Sequence, residues 1–322
     1  MKKSRKVYIG IDVGGTKILG GLVEETGKVL SRRKVSTPRN ASASKIYQLI
    51  VNIILHLQSE YEHTIRGIGL GIPGIVSPDF KRILITPNIN LTQYPLQRNL
   101  RRRFRKPVLL ANDVNCGLLG EQWKGAARKM RNVVGIFPGT GIGGALILNG
   151  EIFTGAQGAA AEIGHMVLDY NSCVTHAGVT GSLEALASRR AIERQIRAAV
   201  KKGHTTRVTK WLDGNLKAVK SKVLARALKQ HDRVVMGIIN QVCLLLGQTC
   251  ISLRHVLNPD LIILGGGLIE ACGFYMLPRV RRISRQDPFF KGIDRCEILP
   301  SCLGDDAVML GAVRLIAAKD KR

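Results

Sequence analysis

Gly10-Ile11-Asp12-Val13-Gly14-Gly15-Thr16 and Gly135-Ile136-Phe137-Pro138-Gly139-Thr140-Gly141 are two near-copies of one glycine-rich turn, set far apart in a chain of 322 residues. Each follows a short apolar run (Val7 to Ile9; Val133 and Val134) and leads into another, Ile18 to Val23 and Ala145 to Leu148. The pattern predicts strand, tight turn, strand. Glycine reaches positive φ and lets a backbone approach a ligand closely, while threonine adds a hydroxyl and an amide. Two such hairpins facing each other across a cleft can hold a polyphosphate between them. Only the first carries an acid, Asp12, which suits a Mg²⁺ held through water. The pair therefore points to phosphoryl transfer.

Two better-known phosphate motifs are excluded. A P-loop needs a Lys at fixed spacing opening a helix, and neither turn has it. A Rossmann fingerprint needs a strand-to-helix context, whereas Gly139-Thr140-Gly141 is followed by Ile142-Gly143-Gly144 and strand-like residues.

Working outward, the first third alternates strands and helices. Val7–Asp12, Ile18–Val23 and Val29–Val35 read as a meander. Lys45 to Glu60 reads as a helix, with Ile46, Leu49, Ile50, Ile53, Ile54 and Leu57 at helical spacing. Strand Ile65–Ile72 leads to Pro73-Gly74 and a short hairpin around Asp79, and strand Val108–Leu110 ends at Asn112-Asp113. After the second hairpin, Ser182 opens one helix marked by Leu183, Leu186, Ile192, Ile196 and Val200 and ended by Gly203. Strand Leu261–Leu264 runs into Gly265-Gly266-Gly267, and a helix from Ala307 to Lys319 closes the chain. This order fits two similar α/β halves.

At 45% hydrophobic residues the chain can bury a large core. Val234 to Leu257 is apolar but interrupted by Asn240, Gln241, Gln248, Arg254 and His255, so it reads as a buried helix rather than a membrane span. Seven scattered cysteines form no paired framework, and a cytoplasmic location is the expectation. The charge is high: 49 Lys and Arg against 23 Asp and Glu, a formal +26. Arg98 to Lys106 holds six basic residues, with further clusters at Lys2–Lys6, Arg32–Lys34 and Arg279–Arg285. Such a surface attracts polyanions. The dispersal of the clusters, with no recognisable nucleic-acid module, favours a solvated surface instead.

Asn112-Asp113 falls where ligands sit in open α/β sheets, at the carboxyl end of a strand. An Asp there can take the proton from an attacking hydroxyl while Asn orients neighbouring hydroxyls. Glu162-Ile163-Gly164-His165 places an acid and a His where both can face one polyol. Glu184 reads either as a helix N-terminal acid or as a third sugar ligand.

In this order and spacing the segments resemble the ROK family of sugar kinases across nearly the whole chain. The resemblance rests on Ile11 to Lys17, Gly71-Ile72-Pro73-Gly74, Thr86-Pro87-Asn88 and Asn112-Asp113. It continues through Gly139 to Gly144, Glu162 to His165, Leu183-Glu184-Ala185 and Gly265-Gly266-Gly267. It implies an α/β, two-domain actin-like (ribonuclease H-like) fold with an interdomain cleft. The small domain would be residues 1–113 joined by the C-terminal helix 307–322, and the large domain 114–306. By resemblance, Asp113 is the general base on a hexose hydroxyl. Gly74, Asn88, Asn112, Glu162, His165 and Glu184 line the sugar. Asp12, Gly14, Gly15, Thr16, Lys17, Gly139, Thr140, Gly141, Gly265, Gly266 and Gly267 serve ATP, with Mg²⁺ near Asp12. The implied activity is ATP-dependent conversion of glucose to glucose 6-phosphate in a homodimer or homotetramer. N-acetylhexosamine, mannose or fructose as substrate, and inorganic polyphosphate as donor, stay open. The family also holds sugar-responsive repressors with a helix-turn-helix domain ahead of the kinase-like body. Here the first hairpin begins at Val7, and the expectation is the enzyme. One departure stands out. The family's structural zinc uses the His of Glu-x-Gly-His and three cysteines, and those cysteine positions hold Thr175, Ala177 and Ser182. No zinc is expected, although Cys173 and His176 lie near in sequence.

Overall fold

The computed structural model describes residues 6–61, 64–293 and 295–320, so Lys2 to Arg5 of the N-terminal basic run lie outside the described residues. The chain divides into two compact units: Met1–Met130 with Leu146–Ala160 and Cys302–Arg322, and Arg131–Ala145 with Ala161–Ser301.

In the first unit the opening meander is β1 (Val7–Val13), β2 (Lys17–Glu24) and β3 (Val29–Ser36). Helix α1 (Ala43–Ser59) follows, capped by the Ser42 hydroxyl, which accepts from the Lys45 amide at 3.3 Å. Its buried Ile46, Ile50, Ile53, Ile54 and Leu57 form the apolar stripe that the spacing predicts. Next come β4 (Ile65–Ile72), the small hairpin β5 (Ile75–Val76) and β6 (Ile83–Ile85), and α2 (Leu96–Phe104). Strand β7 (Val108–Asn112) runs two residues further than its apolar core suggests, so Asn112 ends the strand and Asp113 starts α3 (Asp113–Lys124). The sheet order is β3-β2-β1-β4-β7. The β1–β2 pair is antiparallel, while β1–β4 and β4–β7 are parallel.

The second sheet repeats this design. Strands β8 (Val133–Pro138) and β9 (Ile142–Leu148) flank the second glycine turn, and β10 (Glu151–Ile152) follows. After the minor hairpin β11 (Thr175–His176) and β12 (Val179–Thr180) come the helices α4 (Leu183–Ala187), α5 (Arg189–Lys201), α6 (Arg207–Trp211), α7 (Ser221–Lys229) and α8 (Arg233–Leu257). Strand β13 (Leu261–Leu264), α9 (Gly267–Ser284), β14 (Glu297–Pro300) and α10 (Asp306–Lys319) complete the chain. The order β10-β9-β8-β13-β14 matches the first sheet place for place, with parallel β8–β13 and β13–β14 pairs.

The single helix expected after Ser182 is instead two. Ser188 is extended at ψ 164° and its hydroxyl accepts from the Ala191 amide, so it ends α4 and caps α5. A capping serine in the middle of an apolar pattern restarts the helix. Helix α8 is long and apolar enough to cross a membrane by length and composition, yet half of its most apolar stretch is buried inside the fold. Its buried face, including Val235, Ile239, Val242, Leu246 and Cys250, packs in the second unit against α9. Four of the cysteines, Cys116, Cys243, Cys250 and Cys272, are buried thiols, as apolar surroundings predict.

Helix α10 lies in the first unit against α3 and the parallel strands, an approach only glycine permits. A Cβ on Gly311 would stand 1.7 Å from the Cys116 carbonyl oxygen, and one on Gly69 would stand 2.0 Å from that of Ala312. The first unit therefore continues past residue 113 through α3, because α3 and α10 are packed backbone to backbone.

Candidate active site

The register of the first sheet brings its functional residues to one edge. Asp12 of β1 pairs with Gly71 of β4, and the next step along β4 pairs Ile72 with Asn112 of β7. All three strands are parallel here, so their carboxyl ends share a rim. Asn112 is committed to building that rim. Its Oδ1 accepts from the Asn115 amide at 3.0 Å as the cap of α3, and its Nδ2 donates to the Gly74 carbonyl at 2.9 Å. Gly74 has φ +118°, and a Cβ there would meet the Ile85 carbonyl oxygen at 2.1 Å. The tight turn Pro73-Gly74 is thereby tied to the strand that ends in Asn112.

Asp113, the first residue of α3, accepts from the Val114 amide at 2.9 Å through Oδ1. Its charge acts on Asp12. Burial first, then Asp113, pushes the Asp12 carboxyl from the ordinary 3.8 up to about 7, with Asp305 adding to the rise and Lys17 opposing it. Lys17 is held at 2.6 Å by Asp305, just ahead of α10. In the first glycine turn, the Gly14 amide donates to the Lys17 carbonyl and the Thr37 hydroxyl donates to the Gly14 carbonyl at 2.8 Å. Gly15 and Thr16 stand exposed, and the exposed Asn88 has its backbone beside Gly15.

A carboxyl raised in the fold binds protons there that the unfolded chain has released. Between pH 3.8 and about 7 the native state holds more protons, so this group's contribution to stability falls as pH rises through that window. Asp12→Asn is expected to flatten that slope and to raise the melting temperature of the ligand-free protein at pH 8, while impairing turnover. Melting curves from pH 4 to 8 check it; an unchanged slope would place the titration elsewhere.

In the second unit the Gly139 amide donates to the Gly141 carbonyl at 2.8 Å, closing the second glycine turn. Arg189 grips this turn: its amide donates to the Gly139 carbonyl and its guanidinium to the Thr140 hydroxyl at 2.8 Å and the Val219 carbonyl at 3.0 Å. Glu184 is half-buried against the turn. Its Oε2 accepts from the Ile142 amide and its Oε1 lies 2.7 Å from His176 Nε2. Glu162 and His165 lie 3.9 Å apart, carboxylate to imidazole, both well exposed. Partial burial raises the Glu162 carboxyl, His165 opposes that, and Glu184 adds to it, so the two acids sense each other. Gly265 is buried beside Phe137, Gly266 takes φ +75°, and the exposed Gly267 opens α9 with nothing within 4 Å of a Cβ placed there. That helix start has no side-chain cap hydrogen bond.

His176, Arg189 and Asp305 complete these surroundings, and the sequence alone does not point to them. Each acts on a partner remote along the chain, so spacing carries no signal for it.

The ROK family pattern matches residues 8–319. The chain belongs to the ROK family. A glucokinase of Thermotoga maritima is 34% identical over 310 residues, covering 96% of both chains. The crystal structure of a ROK family glucokinase from Streptomyces griseus in complex with glucose and AMPPNP matches with a TM-score of 0.76 at 28% identity, over 96% of this chain and 98% of that one. A xylose repressor of Caldicellulosiruptor bescii is 29% identical over 96% of this chain and 77% of its own length. The fold is thus the actin-like two-domain fold of ROK sugar kinases.

The family's zinc does not fit the residues present. In this ROK chain Thr175 bonds Thr180 hydroxyl to hydroxyl at 2.8 Å, Ala177 turns the hairpin at φ +49°, and the Ser182 hydroxyl caps α4. Each of these three positions has a structural task of its own. His176 is engaged by Glu184, and among the described residues no group of three His, Cys, Asp or Glu side chains converges on a metal-sized point.

Proposed function

We propose that this chain transfers the γ-phosphoryl group of ATP to the 6-hydroxyl of glucose. The observation that carries the reading is the pair Asp12 and Asp113 on one sheet rim, near enough that the charge of Asp113, after burial, raises the Asp12 carboxyl. A base beside a site for concentrated negative charge is what in-line phosphoryl transfer needs. The glucokinase relatives support the substrate.

Asp113 takes the proton of the attacking hydroxyl, and the Asn112–Gly74 bond keeps the strand end and the turn beside it rigid. Asp12, raised by burial and by the nearby Asp113 charge, would hold Mg²⁺ through water, and the ion would neutralise the phosphates' charge. The turns Gly14 to Thr16 and Gly139 to Gly141 cradle the phosphates through the amides of Gly15, Thr16, Thr140 and Gly141, those of Gly14 and Gly139 being spent in closing the turns, and Gly265 to Gly267 serve the nucleotide. Asn88, Gly74, Glu162, His165 and Glu184 serve the sugar. Lys17, steadied by Asp305, adds a positive charge beside the first turn. We further propose a cytoplasmic homodimer or homotetramer, which light scattering of the purified chain reads. A coupled assay of sugar 6-phosphate formation tests the reaction, and replacing ATP by polyphosphate at two salt concentrations tests the donor.

Two expected outcomes follow from the loop without zinc. His176→Ala leaves Glu184 Oε1 without its partner, and loss of one hydrogen bond to a charged group, about 1.5 kcal/mol, corresponds to roughly tenfold in sugar KM with kcat much less affected. Equal loss in kcat would instead mean that the pair acts on the transferred phosphate. Chelator treatment followed by Mg²⁺ alone is expected to restore full turnover and the same melting temperature. A lasting loss that only zinc repairs would contradict the reading of Thr175, Ala177 and Ser182.

A further inference from the structure

The basic run from Arg98 to Lys106 acquires a definite shape in the fold. Its last residues line a groove of about 620 Å³ in the first unit, together with residues from the start of β4 and the end of α10. Arg66, Lys81, Arg101, Arg105, Lys106 and Lys319 bring six cationic side chains to this groove, against one carboxylate, Asp320. That carboxylate is already shared. It accepts from the Tyr8 hydroxyl at 2.8 Å and lies 3.4 Å from Lys6 and 3.6 Å from Arg66. Among the described residues no ion pair includes Arg101, Arg105 or Lys106.

Cations at helix carboxyl ends are ordinary, since each end carries about half a negative charge. Two helices, α2 and α10, end here. Their ends and Asp320 together offset about two of the six charges, leaving a surplus near four. The backbone adds a second observation. Arg105, at the carboxyl cap of α2, sits in the left-handed region at φ 52°, ψ 37°, where glycine is the usual residue. A long cationic side chain is held there at a conformational cost, and its side chain lines the groove.

The groove lies away from the catalytic rim. Arg66 is at the amino end of β4 and Val108 at that of β7, whereas Ile72 and Asn112 are at the carboxyl ends. Six residues of β4 separate the two edges by about 20 Å. No Phe, Tyr, Trp or His lines the groove, so it offers no surface for stacking nucleobases. Its volume lies in the ordinary range for small-molecule sites.

We infer that this groove is a second anion site, separate from the phosphoryl-transfer site, which takes a short linear chain of phosphates. The positive surplus is the recognition element, and a phosphate chain relieves the mutual repulsion of side chains that the fold forces together.

Titration calorimetry with inorganic tripolyphosphate at 50 and 200 mM salt tests this on the whole protein. Binding is expected, weakening at the higher salt as phosphate contacts release counterions. A saturating non-hydrolysable ATP analogue with Mg²⁺ should leave it intact. The triple variant Arg101→Gln, Arg105→Gln, Lys106→Gln should weaken it at least tenfold while ATP-dependent turnover is unchanged. A control variant with the same change in net charge, Lys201→Gln, Lys202→Gln, Lys220→Gln, should bind like the unmodified protein. The inference is overturned if tripolyphosphate does not bind, or if the ATP analogue displaces it. It is equally overturned if both triple variants lose affinity alike, or if an oligothymidylate of matched charge binds as tightly.

Discussion

Asp113→Asn is expected to reduce turnover by about 10²–10⁴-fold, the usual contribution of a positioned general base. The fold should survive, because an amide oxygen accepts from the Val114 amide as well as the Asp113 carboxylate does. The asparagine also removes the charge that raises Asp12. The substitution should therefore bring the Asp12 titration down from about 7, which melting curves against pH detect in the same sample. Sugar affinity, read by calorimetry, should change little, since the base is needed only as the hydroxyl attacks. A variant that keeps more than a few per cent of turnover would mean that another group takes the proton.

Glu121→Ala should be the most destabilising of the substitutions considered. Glu121 is fully buried in α3, and its carboxylate accepts from the amides of Cys302 at 2.8 Å, Leu303 at 2.9 Å and Ala126 at 2.9 Å. Alanine would take the acceptor from three part-buried donors, each loss costing about 1–3 kcal/mol, so a loss of about 4 kcal/mol is expected. Glu121→Gln keeps one acceptor oxygen and turns a donor toward the other amides, and should fall between. The bond has a functional side as well. Residues 302 and 303 lead directly to Asp305, which holds Lys17 beside the first glycine turn. Turnover should decline in the Gln variant even where it remains folded. Denaturant unfolding measures both losses, and a cost below about 1 kcal/mol for alanine would show that water replaces the carboxylate.

What could be read from the residues, and what could not, follows from the range of the forces involved. The paired glycine turns, the stripe of α1, the strand before Gly265 and the closing helix are local patterns, and all four appear where their periodicity places them. The likeness of the two sheets follows from the repeated turn, but their matching strand order becomes visible only in the pairing. The apolar spacing after Ser182 continues across Ser188 and so predicts one helix; the cap that divides it depends on ψ at a single residue. At the site, Asp12, Asp113, Glu162 and Glu184 were legible as chemical types. Their couplings were not, because Asp12 meets Asp113 through strand register, and Glu184 meets Ile142 and His176 through a turn and a hairpin. Asn112 shows the same limit. Its residue type suggests a hydroxyl ligand, whereas its recorded bonds cap α3 and hold Gly74.

The most direct test of the account is the rate of sugar 6-phosphate formation with MgATP across glucose, mannose, fructose and N-acetylglucosamine, measured for the unmodified protein and for Asp113→Asn. The account predicts that glucose gives the highest kcat/KM and that this activity falls at least a hundredfold in the variant, as removal of a general base requires. No sugar 6-phosphate from any of the four, by a protein that binds glucose in calorimetry, would contradict it and assign the chain to sugar sensing.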